Sequence, residues 1–123
     1  MGVAANAVSR FLVDAYNEVK VVDILGASTR GAAFLQDANI RAPLVRQVIE
    51  RDKCKSGKTY LGIPIVSEDD DWEDPDYKLV GPYWFLGEIK KREEGFLLRG
   101  GGLIVPLPKP VLITKEHPEG LDL

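Results

Sequence analysis

The sequence has very little sulfur and imidazole chemistry. Its 123 residues include one cysteine, Cys54, and one histidine, His117. One cysteine cannot form an internal disulfide, and with one histidine it falls short of the four Cys or His ligands of a usual structural zinc site. We therefore expect neither a disulfide scaffold nor a metal centre, and a reducing compartment such as the cytoplasm.

Long apolar runs and a basic excess are also missing. No apolar stretch approaches the roughly 20 residues that cross a bilayer, and residues 1–13 have no basic start followed by a long apolar segment. The formal net charge is −3, so overall charge gives no support to nonspecific nucleic-acid binding. We expect a cytoplasmic protein that binds neither membranes nor nucleic acids.

Short apolar runs alternate with segments of helical periodicity along the chain. The predicted strands are residues 19–25, 44–50, 63–66, 77–81 and 103–106, and the predicted helices are 4–16, 29–39 and 84–94. This alternation is typical of a parallel sheet with right-handed crossovers. The sequence predicts an α/β fold, a small Rossmann-like three-layer domain with a mostly parallel sheet of about five strands. Its predicted parts are an N-terminal helix at 1–18, the domain at 19–110 and a tail at 111–123.

The turn at residues 26–31 lies between a predicted strand and a predicted helix. In a parallel sheet, such a turn directs backbone N–H groups toward a ligand above the strand ends. It has the first and last glycines of the G-x-G-x-x-G pattern, but Ser28 takes the middle position, where a Cβ obstructs a pyrophosphate. This disfavours NAD, and the scarcity of glycines disfavours an independent SAM loop. Ala32 and Ala33 follow Gly31, which excludes a P-loop.

Three side chains near this turn are candidate site residues. Ser28 is interpreted as a helix cap, with Thr29 as the alternative cap, because no G-x-S-x-G pattern or neighbouring histidine supports a nucleophile. Arg30 either binds a phosphate bidentately or is a solvated helix residue. Glu50, at the end of the second predicted strand, is placed to accept ribose hydroxyls, as the acidic residue of a dinucleotide site does.

Charge is distributed unevenly. Residues 41–58 carry six basic and two acidic side chains, whereas residues 68–76 carry seven acidic and no basic ones. Arg51, Lys55 and their basic neighbours follow the second predicted strand, so they are electrostatic candidates for a diphosphate, with a solvated face as the alternative. The acidic stretch lacks the glycine and the spaced terminal Glu of an EF-hand loop, and we interpret it as a solvated loop.

Five segments form a series in a fixed order. They are residues 26–31 (GASTRG), 48–57 (VIERDKCKSG), 63–65 (IPI), 75–89 (PDYKLVGPYWFLGEI) and 101–108 (GGLIVPLP). The series resembles the C-terminal domain of the sugar C-methyltransferases, which act on nucleotide-linked keto-deoxysugars. The family's patterns are G-A-S-x-K/R-G, V-V-D-R-N-P-x-K-x-G, I-P-I, P-D-Y-x-x-x-x-P-W-N-x-x-x-E-I and G-G-x-x-x-V/I-P-x-P.

The chain departs from this family at two amide positions. The Asn after the turn glycine is Ala32 here, and the Asn of P-W-N is Trp84, which follows Tyr83. Both changes remove hydrogen-bond donors and acceptors that a polar ligand could use. The ring of Trp84 either stacks on a ligand or packs in the interior.

The resemblance implies a division of labour between domains. The full enzymes of that family also have an N-terminal zinc-binding module and a middle SAM-binding domain with the catalytic base, and these 123 residues contain neither. The resemblance therefore implies no catalytic residue and no cofactor bound by this chain, with SAM held by a missing domain or a partner. The expected residues for nucleotide-sugar binding are Gly26, Ala27, Ser28, Thr29, Arg30, Gly31, Glu50, Arg51, Lys55, Tyr83 and Trp84.

Three functional hypotheses remain open at this point. The leading one is a free-standing or excised C-terminal domain of sugar C-methyltransferase type, non-catalytic alone, that organises or binds a nucleotide sugar or a catalytic methyltransferase partner. The second is an independent small Rossmann protein that binds a nucleotide or cofactor such as NAD or coenzyme A. The third is a structural domain that self-associates through the helix at residues 4–16.

Overall fold

The structure, a computed structural model, describes residues 2–123 and is organised around one mixed β-sheet. Its eight strands are β1 (Val22–Leu25), β2 (Val48–Glu50), β3 (Thr59–Tyr60), β4 (Ile63–Ser67), β5 (Tyr77–Val80), β6 (Gly102–Val105), β7 (Val111–Ile113) and β8 (Leu121–Asp122). They lie in the order β3-β4-β2-β1-β5-β6-β7-β8. The five inner strands from β4 to β6 are parallel, and β3, β7 and β8 pair antiparallel at the two sides.

Helices cover both faces of this sheet. Within residues 2–123 the α-helices are α1 (Val3–Asn17), α2 (Thr29–Asp37), α3 (Leu86–Arg92) and α4 (Glu94–Leu98), and there are 3-10 turns at Lys53–Lys55 and Tyr83–Phe85. Buried residues of α1 and α2 share one hydrophobic cluster with Ile104 of β6, whereas buried residues of α3 and α4 share a second cluster with Leu103 and Val105. Because successive strand residues point to opposite faces, the sheet separates two cores.

The predicted α/β class is confirmed, but the predicted count of about five strands is wrong. Three further strands complete the sheet, and four of its seven pairings are parallel. Residues 111–123, predicted as a tail, form β7 and β8, and Ile113 is buried. An edge strand exposes unpaired backbone N–H and C=O groups. β7 pairs with the backbone N–H and C=O groups of β6 that would otherwise be unpaired. The short apolar group at residues 111–113 does not by itself predict this pairing.

The N-terminal helix is part of the same core as the sheet. The helix predicted at residues 4–16 is confirmed, and its residues Ala5, Val8, Leu12 and Ala15 are buried. They pack in one cluster with β1 and β2 residues. Among residues 2–123, no helix combines the length and the hydropathy that a membrane span requires.

β1 is shorter than the strand predicted at residues 19–25, because the C-terminal end of α1 takes up the first residues of that segment. The N–H of Lys20 donates to the carbonyl of Ala15 and the N–H of Val19 to that of Tyr16, which is the Schellman pattern of a helix C-terminus. Val19 takes the left-handed position of this motif, with φ 61°. β1 therefore begins only at Val22.

Val19→Gly is expected to raise the free energy of unfolding by about 1 kcal/mol, measured by urea denaturation. A β-branched residue is unfavourable at φ 61°, and the Val19 side chain is 88% exposed, so it contributes little packing. Asn39 ends α2 with the same motif at φ 56°, and Asn39→Gly is the matched control, expected to change little because asparagine tolerates this conformation. Equal effects of the two substitutions would contradict the prediction.

A buried carboxylate connects β1 to the segment before β2. Asp23 is fully buried, and its two oxygens accept hydrogen bonds from Arg46 Nε at 3.0 Å and Arg46 Nη2 at 2.7 Å. Gln47 Nε2 donates to the same carboxylate at 3.1 Å. The hydrogen bond to Asp23 raises the pKa of Arg46 above its ordinary value, which is the direction expected for a bidentate ion pair.

Candidate functional site

The topology places a cleft at the carboxyl ends of the central strands. The inner order β4-β2-β1-β5-β6 corresponds to the order 3-2-1-4-5 of doubly wound sheets, in which ligands bind where the winding reverses. That point lies between β1 and β5. Loops that follow β1, β2, β4 and β5 line a cleft of about 340 Å³ there, which is within the size range of small-molecule sites.

The cleft has an apolar base and charged sides. Leu25, Ile49 and Ile89 line it and are buried. Its charged lining residues are Glu50, Arg51, Lys55, Glu68, Glu88 and Arg92. Two pairs among them compensate each other: Glu68 Oε2 lies 3.0 Å from Arg92 Nη2, and Glu50 Oε1 lies 3.8 Å from Lys55 Nζ.

Glu50 anchors the turn that follows β1. Its carboxylate is buried, Oε1 accepts the N–H of Ala27 at 3.0 Å, and Oε2 accepts the N–H of Asp52 at 2.8 Å. Each oxygen thus already has a backbone donor, and Lys55 supplies a nearby positive charge. The structure therefore shows Glu50 joining the loops after β1 and β2, while its predicted contact with a ribose stays a prediction.

Two further side chains hold the carbonyls of this turn. Lys55 Nζ donates to the carbonyl of Ala27 at 3.0 Å, and the Tyr60 hydroxyl donates to the carbonyl of Ser28 at 2.5 Å. In a planar trans peptide the C=O and the following N–H point in opposite directions. The N–H groups of Ser28 and Thr29 are therefore directed away from Lys55 and Tyr60. Burial raises the pKa of Tyr60 above its ordinary value, so the phenol remains a donor at neutral pH.

Ser28 is the N-cap of α2, as predicted. Its Oγ accepts the N–H of Gly31 at 3.0 Å, and its backbone is extended, with φ −95° and ψ 143°. His117 lies in a turn near the C-terminus, where its Nδ1 is 3.4 Å from Glu119 Oε1. The interpretation of Ser28 as a helix cap is confirmed by this bond.

Close backbone approach shapes the side of the cleft between β1 and β5. Gly26 has φ +90°, and a Cβ at this residue would lie 2.7 Å from Pro82 Cδ. A Cβ on Gly81 would lie 2.3 Å from the carbonyl oxygen of Gly26. The chain after β1 therefore packs directly against the chain after β5, and only glycine allows this approach at Gly81.

An aromatic wall, formed by Trp84 and Phe85, follows β5 and lines the cleft. The Tyr83 ring meets the Trp84 ring edge to face, with centroids 5.0 Å apart, and the Phe85 ring lies 5.9 Å from that of Trp84. The guanidinium carbon of Arg30 lies 4.5 Å from the Trp84 ring centroid, a cation–π distance. Trp84 is thus held by neighbours, whereas Phe85 is 54% exposed.

The cleft collects most of the predicted binding residues. Those that line it are Gly26, Ala27, Ser28, Glu50, Arg51, Lys55 and Trp84. The other four predicted residues lie next to the cleft. Thr29 and Arg30 are exposed in the first turn of α2, Gly31 is buried, and Tyr83 packs against the second core cluster. The ligand-binding roles of all eleven stay predictions.

Eight lining residues were not among the predicted ones. They are Leu25, Ile49, Glu68, Pro82, Phe85, Glu88, Ile89 and Arg92. Pro82, Glu88 and Ile89 are positions of the P-W-N-x-x-x-E-I pattern, which was a usable indication. Glu68 was assigned to a solvated acidic loop, and its ion pair with Arg92 depends on a contact 24 residues along the chain. Within residues 2–123, no group of three His, Cys, Asp or Glu side chains is placed to hold a metal ion.

Comparison with known proteins agrees with the resemblance. The family model described as C-methyltransferase C-terminal domain matches residues 3–108, from α1 to just after β6. The C-methyltransferase NovU of Streptomyces niveus is 36% identical to this chain over 100 residues, which are 79% of this chain and 24% of NovU. The chain therefore corresponds to about a quarter of the length of that curated relative.

Proposed function

Because this chain belongs to the C-methyltransferase C-terminal domain family, we propose that it is a Rossmann-like, cytoplasmic domain that binds a nucleotide-linked sugar for a C-methyltransferase. In this proposal the domain positions the sugar nucleotide, and a separate domain or protein supplies SAM and the catalytic groups. The observation that carries the proposal is the cleft at the winding switch point, which lies within the residues that match the family.

Two arginine side chains support an anionic ligand at the cleft, although the lining also includes Glu88, which forms no salt bridge within residues 2–123. Lys55 and Arg92 are compensated by Glu50 and Glu68. Arg51 lines the cleft and the Arg30 guanidinium lies against the Trp84 ring, and neither forms a salt bridge within the part of the chain that the structure describes. Such uncompensated guanidinium groups are suited to bidentate phosphate contacts.

The structure disfavours the NAD alternative. Ser28 places a Cβ where the dinucleotide pattern needs glycine. The N–H of Ala27, which belongs to the same turn, donates to Glu50. A pyrophosphate at this position would therefore compete with a carboxylate for the donor and lie close to its negative charge.

The proposal is tested by titrating the chain with dTDP-glucose or GDP-mannose and measuring its melting temperature at each ligand concentration. Saturation of a native-state site stabilises the folded chain by about 2.7 kcal/mol at a ligand concentration of 100 Kd, so at least one sugar nucleotide should raise the melting temperature. No stabilisation by either sugar nucleotide at millimolar concentration would contradict the proposal.

A matched pair of arginine variants locates the binding. Arg51→Ala should weaken sugar-nucleotide binding by about fivefold to tenfold, the loss expected for one charge-assisted contact. Arg10→Ala removes an equal charge from the exposed side of α1 and should leave binding unchanged. Equal weakening in both variants would indicate only the effect of net charge.

A further inference from the structure

We infer that the aromatic wall is a platform for the nucleobase of the sugar nucleotide, with the Phe85 ring as its stacking surface. This inference rests on the proposed function. It assigns the β5 side of the cleft to the base and the side that follows β2, where Arg51 lies, to the phosphates.

The first support is the exposure of Phe85. The large apolar side chains that are exposed in residues 2–123 are Val3, Val13, Tyr16, Val19, Phe85, Leu98 and Leu121. Among these, Phe85 is a lining residue of the cleft. An exposed aromatic ring within a concave site is the feature that base-stacking sites use, because every nucleobase has a π-face.

The second support is the rigidity of the surface behind this ring. Trp84 is contacted by Tyr83 edge to face and by the Arg30 guanidinium, and the Phe85 ring rests against Trp84 at an interplanar angle of 52°. A ring that is already held in place loses little conformational freedom when a ligand stacks on it. The wall is therefore preorganised for a flat partner.

The third support is the separation of aromatic and cationic groups across the cleft. Arg51 follows β2, opposite the aromatic wall that follows β5. A ligand that matches both sides has a planar aromatic end joined to an anionic part, which is the chemistry of a nucleoside diphosphate.

Calorimetric titration with base-containing and base-free probes tests the inference. The probes are dTDP-glucose, UDP-glucose, glucose 1-phosphate and inorganic pyrophosphate. Stacking tolerates different bases, so the two sugar nucleotides should bind with similar affinities. Both should bind at least tenfold more tightly than either base-free probe. Equally tight binding of pyrophosphate and dTDP-glucose would overturn the inference.

Variants of Phe85 make the test specific to the ring. Phe85→Leu should weaken dTDP-glucose binding by about tenfold, within the range for one base–aromatic stack, and leave pyrophosphate binding unchanged. Phe85→Tyr keeps the ring and should bind within about twofold of wild type, since the π-face persists. Tyr16→Leu removes an exposed ring on α1 that does not line the cleft and should have no effect.

The outcomes separate the inference from the proposed function. If Phe85→Leu binds dTDP-glucose as tightly as wild type, the base platform is wrong and the sugar-nucleotide proposal stands. If the wild-type chain binds none of the nucleotides, both are wrong. Melting curves of the variants verify folding, and an exposed position such as Phe85 should tolerate substitution within about 0.5 kcal/mol.

Discussion

Glu93→Leu is expected to lower the free energy of unfolding by about 3–5 kcal/mol, because it leaves a buried lysine without its counter-ion. Lys78 in β5 is 6% exposed, and its Nζ forms an ion pair with Glu93 Oε1. The same Nζ lies 4.3 Å from the centroid of the Phe96 ring. A cation–π contact is worth about 2 kcal/mol when desolvated, so the ring does not replace the carboxylate.

The double variant Lys78→Met/Glu93→Leu should recover most of this loss. Replacing a buried ion pair by apolar residues of similar volume is often neutral or stabilising by about 1–4 kcal/mol, since both desolvation costs disappear. Urea denaturation gives the free energy of unfolding of the wild type, the single variant and the double variant. An equal dependence of this free energy on urea concentration checks two-state behaviour. A double variant that is less stable than Glu93→Leu would contradict this account.

An exposed ion pair provides the control. Asp74 accepts from Arg99 Nε at 2.7 Å, but both side chains are largely exposed, so Asp74→Leu should cost less than about 1 kcal/mol. Similar losses for Asp74→Leu and Glu93→Leu would mean that water reaches the Lys78 pair. Glu93 also lies at the junction of α3 and α4, where the helix predicted at residues 84–94 ends and α4, which was not predicted, begins.

Gly81→Ala is expected to destabilise the protein by about 2–3 kcal/mol, the upper part of the range for overpacking. Its Cβ would lie 2.3 Å from the carbonyl oxygen of Gly26 and 3.1 Å from that of Leu25. Both are backbone atoms and cannot turn away as a side chain can. The ends of β1 and β5 must therefore separate, and the N–H of Gly81, which donates to Leu25 at 2.9 Å, loses its geometry.

The same separation should abolish sugar-nucleotide binding if the proposed function is correct. Gly26 and Pro82 line the cleft next to Gly81, so a shift of these two chain segments moves the cleft walls. Binding is measured by calorimetry at a temperature where urea denaturation shows the variant to be folded. Unchanged affinity in a folded Gly81→Ala protein would contradict this prediction without affecting the predicted loss of stability.

Gly87→Ala is the matched control for Gly81→Ala. Gly87 lies in α3, and a Cβ there would meet nothing within 4 Å. Alanine favours a helix over glycine by about 0.8–1.0 kcal/mol, so this substitution should stabilise the protein slightly. If the two alanine variants have the same stability, the contact between β1 and β5 is more adaptable than the distances indicate.

Glu50 shows why a correct placement does not yield a role. An acidic side chain at the end of a second strand is where a ribose-binding carboxylate lies in dinucleotide sites, and the structure does place Glu50 in the cleft. Its oxygens accept the N–H groups of Ala27 and Asp52. Ala27 lies 23 residues from Glu50 in the chain, so local composition does not identify it as the partner of this carboxylate.

The features that local chemistry determines were available from the sequence alone. Helical periodicity predicted the helix at residues 4–16, the preference of serine for helix starts identified the Ser28 cap, and the alternation of elements indicated the α/β class. Each depends on interactions within a few residues. The resemblance to the C-methyltransferase C-terminal domain also rests on short segments in order, and the family match over residues 3–108 agrees with it.

The remaining features depend on contacts between distant residues, and only the tertiary structure decided them. β7 gives β6 the hydrogen-bonding neighbour without which β6 would be an edge strand, and β8 pairs in turn with β7. The Lys78–Glu93 pair and the approach of Gly81 to Gly26 arise when separate elements pack. The cleft likewise forms from four loops that the order of the strands brings together. Local preferences act over one turn or one strand, whereas these contacts are set by which strands become neighbours.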